Sequence, residues 1–206
     1  MQRKLFASAA FGAIVLFLIT YAVVAASRPG YDFRYKAISE LGSVDVPDRL
    51  FWNVFGYIVP GLLIAAFSVG LYRHFSTTSR VWIPSAGLFF SGLLMSLSGI
   101  FPADMDNRQS FTMLMHTLGS FGSFAAFLVA AFTFPKVWRI NDSWRTRSTP
   151  SLVVTWLAIT FGAWPMIFPA MPAVGQRVVF LFYFAWIALA AAGLLRSVAN
   201  NEKQHR

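Results

Sequence analysis

The chain contains no cysteine among its 206 residues. Disulfides, thiol catalysis, thiolate zinc sites and iron–sulfur clusters are therefore excluded. Charge is also scarce, since charged residues make up 12% of the chain and hydrophobic residues 57%. So much apolar surface cannot be buried in one soluble core of this size, and we expect the protein to reside in a lipid bilayer.

The basic residues do not form a nucleic-acid-binding pattern, although the net charge is +9 and the isoelectric point is about 10.5. Lysine and arginine are scattered between apolar segments and make no continuous stripe, so we expect no nucleic acid among the partners. The sequence also carries no glycine-rich phosphate loop, dinucleotide fingerprint or recognisable Ser/His/Asp spacing. Soluble-enzyme chemistry of those kinds is not indicated.

Six apolar segments are long enough to cross about 30 Å of hydrocarbon, which takes about 20 residues of helix. They cover approximately residues 5–26, 51–72, 81–101, 111–134, 151–168 and 178–195. The sequence therefore predicts an all-α polytopic membrane protein, with six transmembrane helices in one bundle and a single domain over residues 1–206. Three prolines at the end of the fifth segment predict a kinked or broken helix there: Pro165, Pro169 and Pro172.

The first segment also has features of a secretory signal peptide, because Arg3 and Lys4 precede an apolar run that ends in small residues. Its apolar run of about 20 residues exceeds the usual 7 to 15 of a signal peptide. This length favours a membrane anchor that is retained as the first helix.

Charge is divided unequally between the two sides of the predicted bundle. Of the 17 Lys and Arg residues, eleven fall at the termini and in the gaps on the same side, and six fall in the other gaps. The positive-inside rule then predicts a multi-pass protein of the cytoplasmic (inner) membrane with both termini cytoplasmic. Six of the eight acidic residues lie in the opposite, outer gaps: Asp32, Glu40, Asp45, Asp48, Asp104 and Asp106.

The first outer gap, residues 27–50, is much longer than most helix connections, which have about 2 to 8 residues. Apolar residues alternate with its charges and can pack over the bundle: Tyr31, Phe33, Tyr35, Ile38 and Leu41. Residues 37–41 predict one helical turn, with Gly42 as its C-cap. We expect residues 27–50 to form an ordered extracytoplasmic lid.

The second outer gap leads to an ionisable residue inside the fourth helix. Pro102 predicts the end of the third helix, and Ser110 predicts the N-cap of the fourth. His116 then lies about 9 Å below the start of that helix, at 1.5 Å per residue. Three small or polar residues share its helical face: Gly119, Ser120 and Ser123. We therefore expect the imidazole to face the bundle interior.

Together these groups predict a polar pocket on the outer side of the bundle. Its candidate catalytic residues are Glu40, Asp104 and His116, and its candidate substrate-binding residues are Arg28, Asn53, Arg108 and Arg177. Carboxylates and an imidazole can act as acid and base, or they can hold a divalent metal that activates water. Each also has a structural interpretation, in which the imidazole donates to a helix carbonyl and the acids cap turns or pair with arginines.

Three stretches of the sequence carry a recognisable pattern: Arg28, Gly30, Tyr31 and Asp32; residues 38–42; and Phe101, Pro102 and Asp104 together with His116. They resemble the bacterial and archaeal membrane family catalogued as domain of unknown function 998. The resemblance covers the first four helices by motif and the last two by hydropathy. It implies a six-helix integral membrane protein of about this size, and it implies no activity.

Three functions are compatible with these observations. The first is a protein of unassigned activity that binds a lipid headgroup or small ligand in an outward-facing pocket. The second is a membrane-embedded hydrolase or transferase that acts on a lipid or lipid-linked substrate, with or without a metal. The third is a small-solute transporter, which the absence of Asp and Glu from the six segments disfavours.

A cofactor is not specified by the sequence. A divalent metal is compatible with the outer carboxylates, but a multi-histidine zinc site is not available, because His74 and His205 fall on the inner side. The predicted partners are the lipid bilayer and a lipid or small-molecule ligand.

Overall fold

A computed structural model of the chain describes residues 2–204, with side chains described through residue 197, so that His205 lies outside the described residues. The described part is helical and contains no strand, which confirms the all-α prediction. Six main helices follow one another: α1 (Gln2–Ser27), α2 (Arg49–His74), α3 (Trp82–Ile100), α4 (Phe111–Arg139), α5 (Ser148–Gly162) and α6 (Val174–Gln204).

Five helices in the described part are long and apolar enough to cross a membrane, namely α1 to α4 and α6. The prediction of six spans exceeds this number, because α5 has only 15 residues and a separate helix, Trp164–Ile167, follows it. Pro165 explains the interruption, since proline has no amide hydrogen and its ring collides with the carbonyl four residues earlier. The predicted break at the prolines is therefore confirmed, and the predicted span over residues 151–168 is interrupted.

Each main helix packs mainly against two others: α3 packs between α2 and α4, α1 packs against α2 and α6, and α5 packs against α4 and α6. Glycine lets α2 and α3 approach closely. A Cβ on Gly61 would lie 2.4 Å from the carbonyl oxygen of Gly92, and a Cβ on Gly92 would lie 2.4 Å from that of Gly61. The two backbones are thus in direct contact, as small residues allow in membrane helices.

The lid, residues 27–50, packs onto one end of the bundle. Its 3₁₀ turn, Ile38–Gly42, lies within one residue of the predicted turn, and Ile38 and Leu41 are buried in the core. The predicted C-cap role of Gly42 is wrong, because Gly42 belongs to the turn and the backbone after it is extended. The glycine with positive φ is Gly30, at +69°.

Backbone hydrogen bonds fix the lid to two other connections. Val44 N donates to Ala103 O in the α3–α4 connection at 2.9 Å, and Ala173 N, just before α6, donates to Arg34 O at 3.1 Å. The end of the bundle covered by these contacts is called the lid side below.

Candidate functional site on the lid side of the bundle

Arg177, in the first turn of α6, is the residue that joins the lid to the bundle. Its Nε donates to Tyr21 Oη at 2.8 Å, and its Nη2 donates to Tyr31 Oη at 2.5 Å and to Lys36 O at 2.8 Å. Nη1 donates to Ala173 O at 2.8 Å. The guanidinium also lies over the rings of both tyrosines, 5.7 and 5.6 Å from their centroids. The four acceptors are neutral oxygens, so they position the charge without neutralising it.

Tyr31 lies between Arg177 and the 3₁₀ turn. Its hydroxyl donates to Ala37 O at 3.1 Å while accepting from Arg177. Burial raises the pKa of the Tyr31 phenol, and the neighbouring charge of Arg177 opposes that rise without cancelling it. The phenol therefore remains a neutral hydroxyl that can both donate and accept.

Glu40 and Arg28 hold the 3₁₀ turn in place. Glu40 Oε1 accepts from Ala37 N at 2.7 Å, which makes the side chain a cap of its own turn. Arg28 Nη1 donates to the backbone oxygen of Glu40 at 3.2 Å. Ile38 N finds its acceptor on α6, where Gln176 Oε1 lies 2.8 Å away. Two predicted site residues, Arg28 and Glu40, are thus in contact through the backbone of the turn.

Asn53 lies directly beneath the lid, with 4% of its surface exposed. It begins a π-helical segment of α2, Asn53–Ile58, in which the wider turn shifts the helix register. Its Nδ2 donates to Gly42 O at 3.0 Å. A Cβ on Gly42 would lie 2.0 Å from Asn53 Oδ1 and 2.5 Å from Trp52 Cδ1, so the glycine leaves the space that these side chains occupy.

His116 points into the bundle, as predicted, and is 5% exposed. Its Nδ1 lies 2.8 Å from Ser98 O and 3.0 Å from Phe101 O. Because carbonyl oxygens only accept, Nδ1 carries the proton and donates to both. The ring also packs edge-on against Tyr57, at 6.1 Å between centroids. The predicted N-cap of the same helix is confirmed, since Ser110 Oγ accepts from Met113 N at 3.2 Å.

Asp104 and Arg108 lie in the α3–α4 connection. Asp104 Oδ1 accepts from Asn107 N at 2.9 Å, which is the geometry of a local turn. Arg108 and Asp106 are exposed at the surface. Helix α3 ends at Ile100, so the predicted stop before Pro102 is confirmed.

The structure thus separates the predicted site into two groups. The first group lies in the lid and the first turn of α6 and contains Arg28, Glu40 and Arg177, with Asn53 beneath them. The second group lies in the α3–α4 connection and α4 and contains Asp104, Arg108 and His116. Each of Glu40, Asp104 and His116 forms hydrogen bonds with backbone groups. Within the described residues no cluster of three His, Cys, Asp or Glu residues could hold a metal ion. The catalytic roles stay predictions.

An aromatic series connects the two groups. His116 contacts Tyr57, Tyr57 contacts Trp52 at 5.4 Å, and Trp52 contacts Tyr21 at 6.3 Å, where Tyr21 accepts from Arg177. Sequence reasoning missed Tyr21 and Gln176 as site residues. A signal for each was present in the sequence. Tyr21 carries a hydroxyl near the end of α1, and Gln176 carries an amide next to Arg177; both lie close to the predicted outer boundary of the membrane.

A second polar cluster lies deeper in the bundle. Ser91 Oγ lies 3.0 Å from Tyr183 Oη and 3.3 Å from Ser123 Oγ, and Ser123 Oγ donates to Ser91 O at 2.8 Å. The three residues belong to α3, α6 and α4, so the cluster connects three helices across the core. This agrees with a packing role for the hydroxyl face of α4.

The fold defines a helical multi-pass membrane protein with an ordered lid at one end. Over residues 11–193 the chain matches the family model described as "Protein of unknown function (DUF998)", and it belongs to this family. The resemblance inferred from the motifs is thereby confirmed. Neither the curated proteins nor the solved structures contain a match to the chain.

Proposed function

We propose that the protein is an integral protein of the cytoplasmic membrane whose outer, lid-covered face binds an anionic lipid headgroup or a small anionic ligand at Arg177. The observation that supports this is a partly buried guanidinium whose hydrogen bonds go to four neutral oxygens. A charge withdrawn from water is costly unless it is paired. An anion that approaches Arg177 supplies the missing counter-charge through a charge-assisted hydrogen bond.

Two of the four carboxylates of the lid have other partners. Arg34 donates to both oxygens of Asp32, at 2.7 Å for the closest pair, and Glu40 caps its own turn. The hydrogen bond from Arg34 lowers the pKa of Asp32 to about 2, with a smaller contribution from the charge of Arg177. Arg28 adds a second cation beside Glu40. Next to Arg177, the local charge therefore favours an anion.

The location follows from the charge distribution. Placing the lid outside leaves eleven of the 17 Lys and Arg residues on the inner side, in agreement with the positive-inside rule. Both termini are then cytoplasmic. On the outer side Arg177 lies at the level of the headgroups, because it occupies the first turn of a membrane-spanning helix.

The test measures the thermal unfolding midpoint of the full chain in a neutral detergent. The probes are inorganic phosphate at matched ionic strength, phosphatidylglycerol, and phosphatidylcholine of the same acyl chains. A ligand that binds only the folded state stabilises it by about 2.7 kcal/mol at 100 times its Kd. We expect phosphatidylglycerol to raise the midpoint of the wild type and of Arg34→Gln, which loses a lid cation that already has a partner.

The Arg177→Gln variant is expected to respond less than the wild type. Because it also removes the contacts that hold the lid, Arg177→Lys provides the second measurement: its charge is kept, and its response is expected to lie between those of the wild type and Arg177→Gln. A response to phosphate as well identifies the anion itself as the ligand, and a response to phosphatidylglycerol alone identifies the lipid. Equal responses in wild type and Arg177→Gln, or none in the wild type, would overturn the proposal.

A further inference from the structure

A groove of about 210 Å³ lies between α2 and α3, at the end of the bundle opposite the lid. Its lining residues include Ser68, Tyr72, Trp82, Ser85, Phe89 and Phe90. Three of them are strongly exposed, with 44% of Tyr72, 63% of Trp82 and 54% of Phe90 accessible. In a membrane-spanning bundle such a groove opens toward lipid.

One cation lies next to the mouth of this groove. Arg80 is exposed and precedes Trp82 at the start of α3 by two residues. Arg73 follows Tyr72 at the end of α2, but its guanidinium lies over the ring of Phe6 on α1, 5.5 Å from the centroid. Tyrosine and tryptophan favour the level of the lipid headgroups, where their rings meet both water and hydrocarbon. The groove therefore begins at headgroup level, beside the positive charge of Arg80, and continues into the hydrocarbon.

Ser85 supplies an independent observation in the same groove. It is 6% exposed, and its hydroxyl has no hydrogen-bond partner among the described residues. A buried hydroxyl without an acceptor costs about 1–3 kcal/mol. Ser85 lies one helical turn below Trp82, about 4.5 Å deeper at 1.5 Å per residue. In a phospholipid the ester carbonyls occupy that depth, just below the phosphate, and a rotation of the serine side chain brings the hydroxyl to such an acceptor.

We propose that this groove binds one anionic phospholipid of the leaflet next to the α2–α3 connection. The phosphate is bound by Arg80, an ester carbonyl accepts from Ser85, and one acyl chain lies along Phe89 and Phe90. The site is separate from Arg177, because it lies at the other end of α2 and α3. Charge complementarity selects an anionic lipid over a zwitterionic one.

Native mass spectrometry of the full chain tests the proposal. The delipidated protein is incubated with equal amounts of phosphatidylglycerol and phosphatidylcholine that carry the same acyl chains, and the ratio of the two lipids retained on the protein is measured. Arg80→Gln is expected to lower this ratio about fivefold, the factor that corresponds to about 1 kcal/mol for a basic group near a membrane surface. Arg73→Gln is the matched control, because it removes an exposed cation from the same side of the bundle, and that cation lies over Phe6 on α1 and not beside the groove.

Two further variants separate the chain-binding part from the headgroup-binding part. Ala86→Phe fills the groove and is expected to reduce retention of both lipids without changing their ratio, and Ser85→Ala is expected to reduce retention more weakly. An equal ratio in Arg80→Gln and Arg73→Gln would overturn the proposal. A second outcome would also overturn it: the lipid-free wild type is a dimer, and Ala86→Phe converts it to a monomer. The groove would then bind a second copy of the chain.

Discussion

Replacing Gly42 by alanine tests how the lid is attached to the bundle. A Cβ at this position would lie 2.0 Å from Asn53 Oδ1 and 2.5 Å from Trp52 Cδ1, and both side chains are buried. Overpacking of this kind costs about 1–3 kcal/mol. Loss of the hydrogen bond from Asn53 to Gly42 O adds about 1 kcal/mol. Alanine recovers less than about 1 kcal/mol through the unfolded chain, so the expected net loss is about 1–4 kcal/mol.

The assay is reversible unfolding of the full chain in mixed micelles, followed by tryptophan fluorescence, together with hydrogen exchange of the lid amides. Gly12→Ala is the control, because its Cβ would meet only Leu63 Cδ1, at 3.8 Å. A glycine inside a helix is less favourable than alanine by about 1 kcal/mol, so this variant is expected to be stabilised. Gly42→Ala is expected to be less stable than wild type and to exchange its lid amides faster.

A double variant identifies the contact responsible. Asn53→Ala removes the atom that lies closest to the added methyl group, so Gly42→Ala combined with Asn53→Ala is expected to lose less than the sum of the single losses. If Gly42→Ala behaves like Gly12→Ala and leaves lid exchange unchanged, the lid does not pack on Asn53 as described. If the losses of unfolding free energy in the two single variants simply add in the double variant, a direct clash between the added methyl group and the Asn53 side chain is likewise contradicted.

Three further predictions concern the core, the lid and the orientation. Tyr183→Phe removes a hydroxyl from the buried cluster that joins three helices and is expected to lower the free energy of unfolding by about 0.6 kcal/mol, measured in mixed micelles; no change would argue against the hydrogen bond. Pairing with Arg34 lowers the pKa of Asp32 from 3.8 to about 2. The contribution of this pair to lid stability is therefore present above pH 3.8 and is lost as the pH falls toward 2. Cleavage of the lid by an acid protease should rise over that pH range in the wild type and not in Asp32→Asn. The chain contains no cysteine, so single cysteines can be introduced at the exposed positions Lys36 and Thr77. The cysteine at position 36 should react with a membrane-impermeant maleimide in intact cells, and the one at position 77 should react only after lysis. The reverse pattern would place the lid in the cytoplasm.

Helix ends were predictable from the sequence wherever a local rule decides them. Pro102 stops α3, and Ser110 caps α4, because each acts on backbone groups within a few residues. The fifth predicted span, residues 151–168, was too long, since hydropathy continues through Pro165 while the hydrogen-bonding pattern of the helix does not. Gly42 was misassigned for a related reason, as a cap and a close-packed position both favour glycine and only the neighbouring Asn53 distinguishes them.

The contacts of the site were not predictable in the same way, because they join residues far apart in the chain. Gln176 and Ile38 are 138 positions apart, and Arg177 and Tyr21 are 156 apart. Charge counts assign such residues to one side of a membrane, but they do not identify the acceptor that each donor meets. That choice depends on how α1, α6 and the lid pack together.

His116 and Arg177 show two different outcomes for a polar group near the end of a membrane helix. Where α3 stops, the carbonyls of its last turn lack partners within the helix. The imidazole of His116 donates to Ser98 O there and also to Phe101 O, so its buried N–H completes the end of α3. Arg177 meets neutral oxygens too, but a guanidinium keeps its full charge whatever accepts from it. Of the two residues, Arg177 is therefore the one whose charge has no carboxylate among its hydrogen-bond acceptors, and the proposed anion site at the lid and α6 is the first to test.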